Sequence, residues 1–313
     1  MNFSKNIHSI LLSLILMLIT FNIQALKTYK FENIDEIYSQ NSHQSIEFIL
    51  MTSQGYVSAQ NLGFLSEASL YVDMGTHKDF FFIEKTYDYL TMNNINTNLP
   101  NAENEVFAYE LDKALGLNIV APTIYFQSPI NKENYHVRQV FIQRAHTQDS
   151  RRNKNNFKLN GSPIIIFDKL IGATDRNDNN YLVAQNGTTI AIDHEFLFGN
   201  GGYILPQGGH QYMNTIGSLF DDENEMKAFF YKEEIYEAMT NIDWEQWTNE
   251  HFPKSAPNYE KSKQTFLINI AFLVGSISNF VENNDNFFNE AKENRAFFLN
   301  NNVEKIRFIE SRK

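Results

Sequence analysis

The chain has no cysteine in 313 residues, so no disulfide can brace it and the fold must rest on its core alone. Positive charge is scarce as well. Lys and Arg number 26 against 37 Asp and Glu, a formal charge of −11. That balance argues against nucleic acid or an anionic membrane as the default partner, although it leaves room for a local basic patch. After residue 25 no stretch approaches transmembrane length, so a soluble mature protein without stable membrane insertion is expected. There is no GxGxxG phosphate loop and no internal repeat. What the chain does have is aromatic bulk: 27 Phe and 15 Tyr supply the core.

The first 25 residues form a unit of their own. Lys5 gives a positive start, Ile10 to Phe21 is apolar apart from Ser13 and Thr20, and Ala25 offers a small residue for cleavage. This is the layout of a secretory signal peptide, with an uncleaved anchor as the alternative. The localisation expected is secreted or periplasmic. The remaining ~290 residues suit one bilobal domain or two small ones, and a monomer is expected.

The most informative stretch runs from Pro163 to Phe198. An apolar segment, Ile164 to Ile171, leads into a polar loop, Ala173 to Asn180. Two short apolar runs, Tyr181 to Val183 and Thr189 to Ile192, then flank Asn186-Gly187 and read as a hairpin, because Asn-Gly supplies positive φ cheaply. Asp175 and Asn180 precede the hairpin and Asp193 follows it, so three oxygen-bearing side chains are expected at one end. Mg²⁺ takes carboxylate and amide oxygens, and a phosphoryl acceptor needs a carboxylate to orient its hydroxyl. The order Asp, Asn, hairpin, Asp matches the layout of protein-kinase sites. The bland alternative is a hairpin with Asp and Asn filling turn positions.

Several further elements can be read along the chain. Ile46 to Met51 reads as a strand. Gly55 to Gly63 is polar and turn-rich, and falls where a loop covering nucleotide belongs. Leu70 to Val72 and Phe80 to Lys85 read as strands, and Lys85 at the end of its run can reach phosphate as a point charge. Residues 88–101 read as loop. Asn104 to Leu117 reads as a helix with Gly116 as its stop; Glu105 in its first turn can pair with Lys85, and Glu110 is the alternative partner. Asn118 to Phe126 and His136 to Arg144 read as strands, with Ile142 to His146 as a hinge that would meet adenine. Residues 147–160 read as a linker. The glycine-dense segment from Phe198 to His210 reads as a mobile loop. Met226 to Met239, Trp244 to Phe252, Tyr259 to Phe280 and Asn283 to Phe308 read as helices, and Phe266, Ile270, Leu273, Ile277 and Phe280 share one core face.

Two motifs, Ile171-Gly172-Ala173-Thr174-Asp175-Arg176-Asn177-Asp178-Asn179-Asn180 and Ala191-Ile192-Asp193-His194-Glu195, carry a resemblance. With D-R-x-x-x-N and an I-D dipeptide, the chain resembles the phosphatidylinositol 3-/4-kinase-like branch of the protein-kinase superfamily, including the HipA-type bacterial kinases, over about residues 65–200. Glu195 departs from it, standing where many relatives carry glycine. The resemblance implies an α+β, bilobal, kinase-like fold. Residues 26–146 would form the small lobe, an antiparallel sheet with one helix, and residues 147–313 the larger, mostly helical lobe. It implies Asp175 as base, Asn180 and Asp193 on metal, and Lys85 on phosphate with Glu105 as its partner. The cofactors implied are ATP and Mg²⁺, with Mn²⁺ as the alternative. The acceptor is a protein, a lipid or a small molecule, and nucleic acid is not expected. A kinase needs ATP, so an exported one would act inside a host cell or another compartment that supplies it. Three alternatives stay open: nucleotidyl transfer, a non-catalytic kinase-fold module, and a metal-dependent hydrolase using Asp175, Asp178, Asp193 and His194.

Overall fold

The computed structural model describes residues 31, 34–40, 43–53, 55–61, 67–73, 80–87, 98–147, 157–173, 175–198, 222–256 and 258–312. The expected signal peptide, most of the 88–101 loop and of the 147–160 linker, and the glycine-dense segment beyond Phe198 lie outside the described residues. The fold is α+β, with a small antiparallel sheet and a mostly helical remainder.

The small lobe opens with helices α1 (Ile34–Gln40) and α2 (His43–Thr52). Strands β1 (Gly55–Asn61), β2 (Glu67–Asp73), β3 (Phe81–Tyr87), β4 (Thr123–Gln127) and β5 (Tyr135–Val140) form one antiparallel sheet in the order β1-β2-β3-β5-β4. Helix α3 (Asn98–Leu115) lies between β3 and β4 in the chain and packs on both. The strand expected at Ile46 to Met51 is helical. Its buried residues, Ile46, Ile49 and Leu50, recur at helical spacing, while Phe48 and Met51 are each 64% exposed. Arg138 on β5 binds this helix to the sheet: Nε donates to Glu84 Oε2 at 2.6 Å, and Nη1 donates to the carbonyls of Leu50 and Ser53 near the C-terminal end of α2. The polar run from Gly55 is strand as far as Asn61, because pairing with β2 overrides its turn-like composition.

Strands β4 and β5 are both shorter than the sequence suggests, and one cause serves for both. The flanking segments leave the sheet to pair with a hairpin of the large lobe. Val120 bridges Ala191 and His146 bridges Val183; the Ala191 N–H donates to the Ile119 carbonyl at 2.8 Å, and His146 and Val183 exchange two bonds of 2.9 Å. That hairpin, β6 (Tyr181–Val183) with β7 (Thr189–Ala191), is the one Asn186-Gly187 announces. Gly187 has φ +84, and Asn302 donates to its carbonyl at 2.9 Å.

Among the described residues, the large lobe holds this hairpin and helices α4 (Ile164–Ile171), α5 (Glu223–Phe229), α6 (Glu233–Asn241), α7 (Trp244–His251), α8 (Tyr259–Asn283) and α9 (Phe287–Glu310). The single helix expected over Met226 to Met239 is broken in two. Phe230 and Tyr231 are buried at the break, and Tyr231 Oη donates to the Leu117 carbonyl at 2.9 Å. Helix α3 starts at Asn98 rather than Asn104, and Gly116 ends it at φ +66. Phe266, Ile270, Leu273 and Ile277 of α8 are buried in the lobe core, and Phe280 packs against it. Contrary to expectation, α8 is long and apolar enough to cross a membrane by length and composition, with a mean hydropathy of 1.5 over its apolar window.

Candidate active site

Strand β3 sets Lys85 opposite Ala68 of β2 and Val137 of β5. Its ammonium reaches Glu105 Oε1 at 2.5 Å, Asp193 Oδ1 at 2.7 Å and Glu195 Oε1 at 3.5 Å. Burial opposes the charge on Lys85, but Asp193, Glu105 and Glu195 outweigh it and hold its pKa well above the usual lysine range. Glu105 is buried in α3 and also accepts from Tyr87 Oη at 3.4 Å. Burial by itself would raise its pKa; the Lys85 ammonium outweighs it and lowers it. The pair expected from sequence is thus formed, while Glu110 turns to Lys113 at 3.4 Å.

The loop before the hairpin is wound around a guanidinium. Arg176 is buried and forks onto Asp168, Nε to Oδ2 at 2.9 Å and Nη2 to Oδ1 at 3.0 Å. Its Nη1 donates to the carbonyls of Asn180 and Ile192, the latter at 2.6 Å. The Ile192 N–H also donates to the Asn180 carbonyl at 3.1 Å. One side chain therefore joins the start of the loop, its end and the exit of the hairpin. Asn180 Nδ2 donates to the Asp175 carbonyl at 2.5 Å and to Asp175 Oδ2 at 3.2 Å, and Asn177 Nδ2 donates to Asp175 Oδ1 at 3.2 Å. Asp175, Asn180 and Asp193 thus stand at one end of the hairpin, as their spacing suggests.

Asp193 has φ +64, in the left-handed region that non-glycine residues rarely adopt, and its side chain is 37% exposed. Burial works against its ionisation, but Lys85 lowers its pKa below the ordinary carboxylate value. The next two residues turn inward. His194 is sealed, its ring 6.2 Å from that of Phe167 and edge-on to it. Its Nδ1 lies 3.6 Å from Glu105 Oε2, just beyond hydrogen-bond length, and burial keeps the ring neutral by lowering its pKa. Glu195 is 4% exposed, and Asn104 Nδ2 donates to its carbonyl at 2.7 Å. Burial first, and then the neighbouring Asp193 charge, push its pKa up to about 8. Carboxylate oxygens of Glu105, Asp193 and Glu195 lie within 4.8 Å of one another.

The hydrolase constellation is not assembled. Asp178 is exposed on the loop, while His194 is sealed behind Glu105. Sequence reasoning assigned no part to Asp168, Asn104 or Glu195. An acid inside the apolar run Ile164 to Ile171 was a usable signal for Asp168, since a buried carboxylate needs a partner. Chemically, the chain offers a lysine ammonium held by a glutamate, a carboxylate oriented by two amides, and hard-oxygen donors.

No protein-family model matches the sequence, and no characterised sequence matches it either. Among solved structures, the chain is similar to a Golgi casein kinase at 12% identity and a TM-score of 0.36, covering 75% of each chain. It is also similar to an N-terminal 618-residue fragment of LepB from Legionella pneumophila at 12% identity and a TM-score of 0.35. That match covers 63% of this chain and 44% of the fragment.

Proposed function

We propose that the protein is an ATP-dependent phosphotransferase acting on a hydroxyl of a protein, a lipid or a small molecule. The observation that carries this reading is the Lys85–Glu105 pair, 2.5 Å long, with the same ammonium 2.7 Å from Asp193. The donor set fits the cofactors: Asp193 and Asn180 offer the hard oxygens that would hold Mg²⁺ or Mn²⁺, and Lys85 offers a point charge for phosphate oxygens. When bound, Mg-ATP supplies the transferable phosphoryl group and neutralises the charge that develops as it moves.

The residues of the chain position and deprotonate. Asp175, its two oxygens held by Asn177 and Asn180, would offer a remaining carboxylate lone pair to the acceptor hydroxyl. Asp175 would take the proton of the acceptor hydroxyl as that oxygen bonds to the γ-phosphorus and the bond from the γ-phosphorus to the ADP oxygen breaks. Glu105 keeps Lys85 extended. Arg176 keeps the Asn180 and Ile192 backbones together, and so holds the base and metal side chains at a fixed spacing. Within the kinase-like class, the D-R-x-x-x-N and I-D motifs favour the phosphatidylinositol 3-/4-kinase-like and HipA-type branch. The apolar N-terminus favours export, and the need for ATP favours action in a host cell.

The test is labelled phosphoryl transfer from Mg-ATP, with the protein alone and with host lysate. Asp193→Ala is expected to abolish it while circular dichroism stays unchanged. Activity that survives this substitution in a folded protein overturns the mechanism. A kinase-fold module without catalysis is the second reading, favoured by the engagement of Lys85 with three carboxylates at once. It predicts no transfer from the unaltered protein.

A further inference from the structure

We infer that Asp168 is a positioning residue for the transfer proposed above. Acting through Arg176, its carboxylate sets where Asp175 and Asn180 stand relative to Asp193. The inference rests on the phosphotransferase reading and extends it to a residue of α4 to which that reading gives no part.

The loop is tied to Asp168 on both sides of Asp175. Before it, the Asp168 carbonyl accepts from the backbone N–H groups of Gly172 and Ala173, the latter at 3.0 Å. After it, Arg176 forks onto the Asp168 carboxylate with bonds of 2.9 and 3.0 Å. Asp175 lies between the two ties. The steps from Ala173 to Arg176 span at most roughly 11 Å, so the base has little room to move while both ties hold.

The same side chain reaches across to the hairpin exit. Arg176 Nη1 donates to the carbonyls of Asn180 and Ile192, and Ile192 directly precedes Asp193. A guanidinium is planar, so a carboxylate that takes its Nε and Nη2 also fixes where Nη1 points. Among the described residues, Asp168 is the acid paired with Arg176. Burial lowers the Arg176 pKa, and Asp168, Asp193 and Glu105 together outweigh it, so the charges of the last two also reach the guanidinium. Without the Asp168 carboxylate, Arg176 is drawn toward them. A clamp on the backbone then becomes a competitor for a metal ligand.

The anchor is set in the core. Seven of the eight residues of α4 are buried, Asp168 at 1% exposure. Asn269 of α8 donates to the Lys169 and Leu170 carbonyls at 3.2 and 3.4 Å, which pins the end of α4. At that depth Asp168 has no access to substrate, so its effect on transfer passes through Arg176.

The experiment measures labelled phosphoryl transfer from Mg-ATP to a fixed amount of host lysate by the full chain. It reads the limiting rate and the Mg-ATP concentration that gives half of it. Asp168→Asn, which keeps size and removes charge, is expected to lower the limiting rate about tenfold or more and to move the half-saturating concentration by less than about threefold. Asp168→Asn combined with Arg176→Lys is expected to lose no more rate than Arg176→Lys alone, because the two side chains act as one unit. A merely structural role would lower the melting temperature and leave the rate of the folded protein unchanged, and that result overturns the inference. So does a loss confined to the half-saturating concentration, or a double variant whose loss is the product of the single losses. If Asp168→Asn fails to fold by circular dichroism, Asp168→Glu decides, since it keeps the charge and advances it by one methylene. A lowered limiting rate then supports the inference and an unchanged one overturns it. The two readings fail differently: no transfer by the unaltered protein removes both, whereas equal transfer by the unaltered protein and Asp168→Asn removes this one alone.

Discussion

Around Lys85, individual residues hold opposing electrostatic demands. Glu105 and Asp193 are pulled below the ordinary carboxylate range by the ammonium, whereas Glu195, deeper and beside Asp193, is pushed up to about 8 from an ordinary 4.5. These shifts act on stability with opposite signs. Between about pH 4.5 and 8 the folded protein keeps a proton on Glu195 that the unfolded chain has released. The Glu195 contribution is therefore complete below about 4.5 and lost as pH rises through about 8. Those of Glu105 and Asp193 are present at neutral pH and lost as pH falls through their lowered values. In cation-free buffer, the unaltered protein is expected to lose stability relative to Glu195→Gln between pH 5 and 8, on the order of a few kcal/mol, and to run parallel to it above that. Thermal melting of both proteins across pH 5–9 checks this, and parallel curves throughout would contradict the assigned environment. The sequence named Lys85 and Glu105 as a pair because each sits near the end or start of a legible element. It did not assign Glu195 a place among the carboxylates around Lys85, because which face a residue after a strand presents depends on a single backbone angle, here the φ +64 of Asp193.

Among the elements, the hairpin β6–β7 is the piece on which the site depends. Its turn was readable from Asn186-Gly187; its docking was not. A Cβ built on Gly187 would stand 2.4 Å from the Leu299 carbonyl oxygen, so the turn lies directly against α9. Glycine is required there twice, by φ +84 and by the lack of space. Gly187→Ala is expected to cost roughly 2–4 kcal/mol. Gly187→Asn, which tolerates positive φ, should recover little of that loss, because the clash remains. Denaturant midpoints measure both, and an Asn variant as stable as the parent would show that space is not limiting. Helix α2 teaches a related lesson. Its apolar run fits a strand by composition, yet burial of Ile46, Ile49 and Leu50 with exposure of Phe48 follows the helical period.

Over the whole molecule, α3 belongs to both lobes. It packs on β3, β4 and β5, while Phe107, two residues beyond Glu105, meets Phe198, Trp247, Phe252 and Phe266 at centroid distances of 5.3–5.7 Å. Aromatic contacts of this kind hold Glu105 in register with the large lobe, so the Lys85–Glu105 pair and the loop at Asp175 are positioned by one core. A ligand that engages both sets of groups should therefore stabilise the entire fold. Mg-ATP at 100 times its Kd is expected to add about 2.7 kcal/mol, seen as a raised melting temperature that Asp193→Ala lacks. No shift across nucleotides and metals would favour the non-catalytic module.

What the sequence by itself determined was local: the Asn-Gly turn, the helical spacing around Phe266, the glycine stop at Gly116, and an Asp, an Asn and an Asp spaced around a hairpin. These depend on backbone angles and side-chain period over a few residues, which neighbours in the chain dictate. Only the tertiary structure decided where Glu195 points, that Arg176 forks onto Asp168, that β4 and β5 stop short so that Val120 and His146 can pair with the hairpin, and that Phe230 and Tyr231 break a helix. Each of those outcomes is a competition for burial or for a hydrogen-bond partner distant in sequence, and no local pattern records which competitor wins.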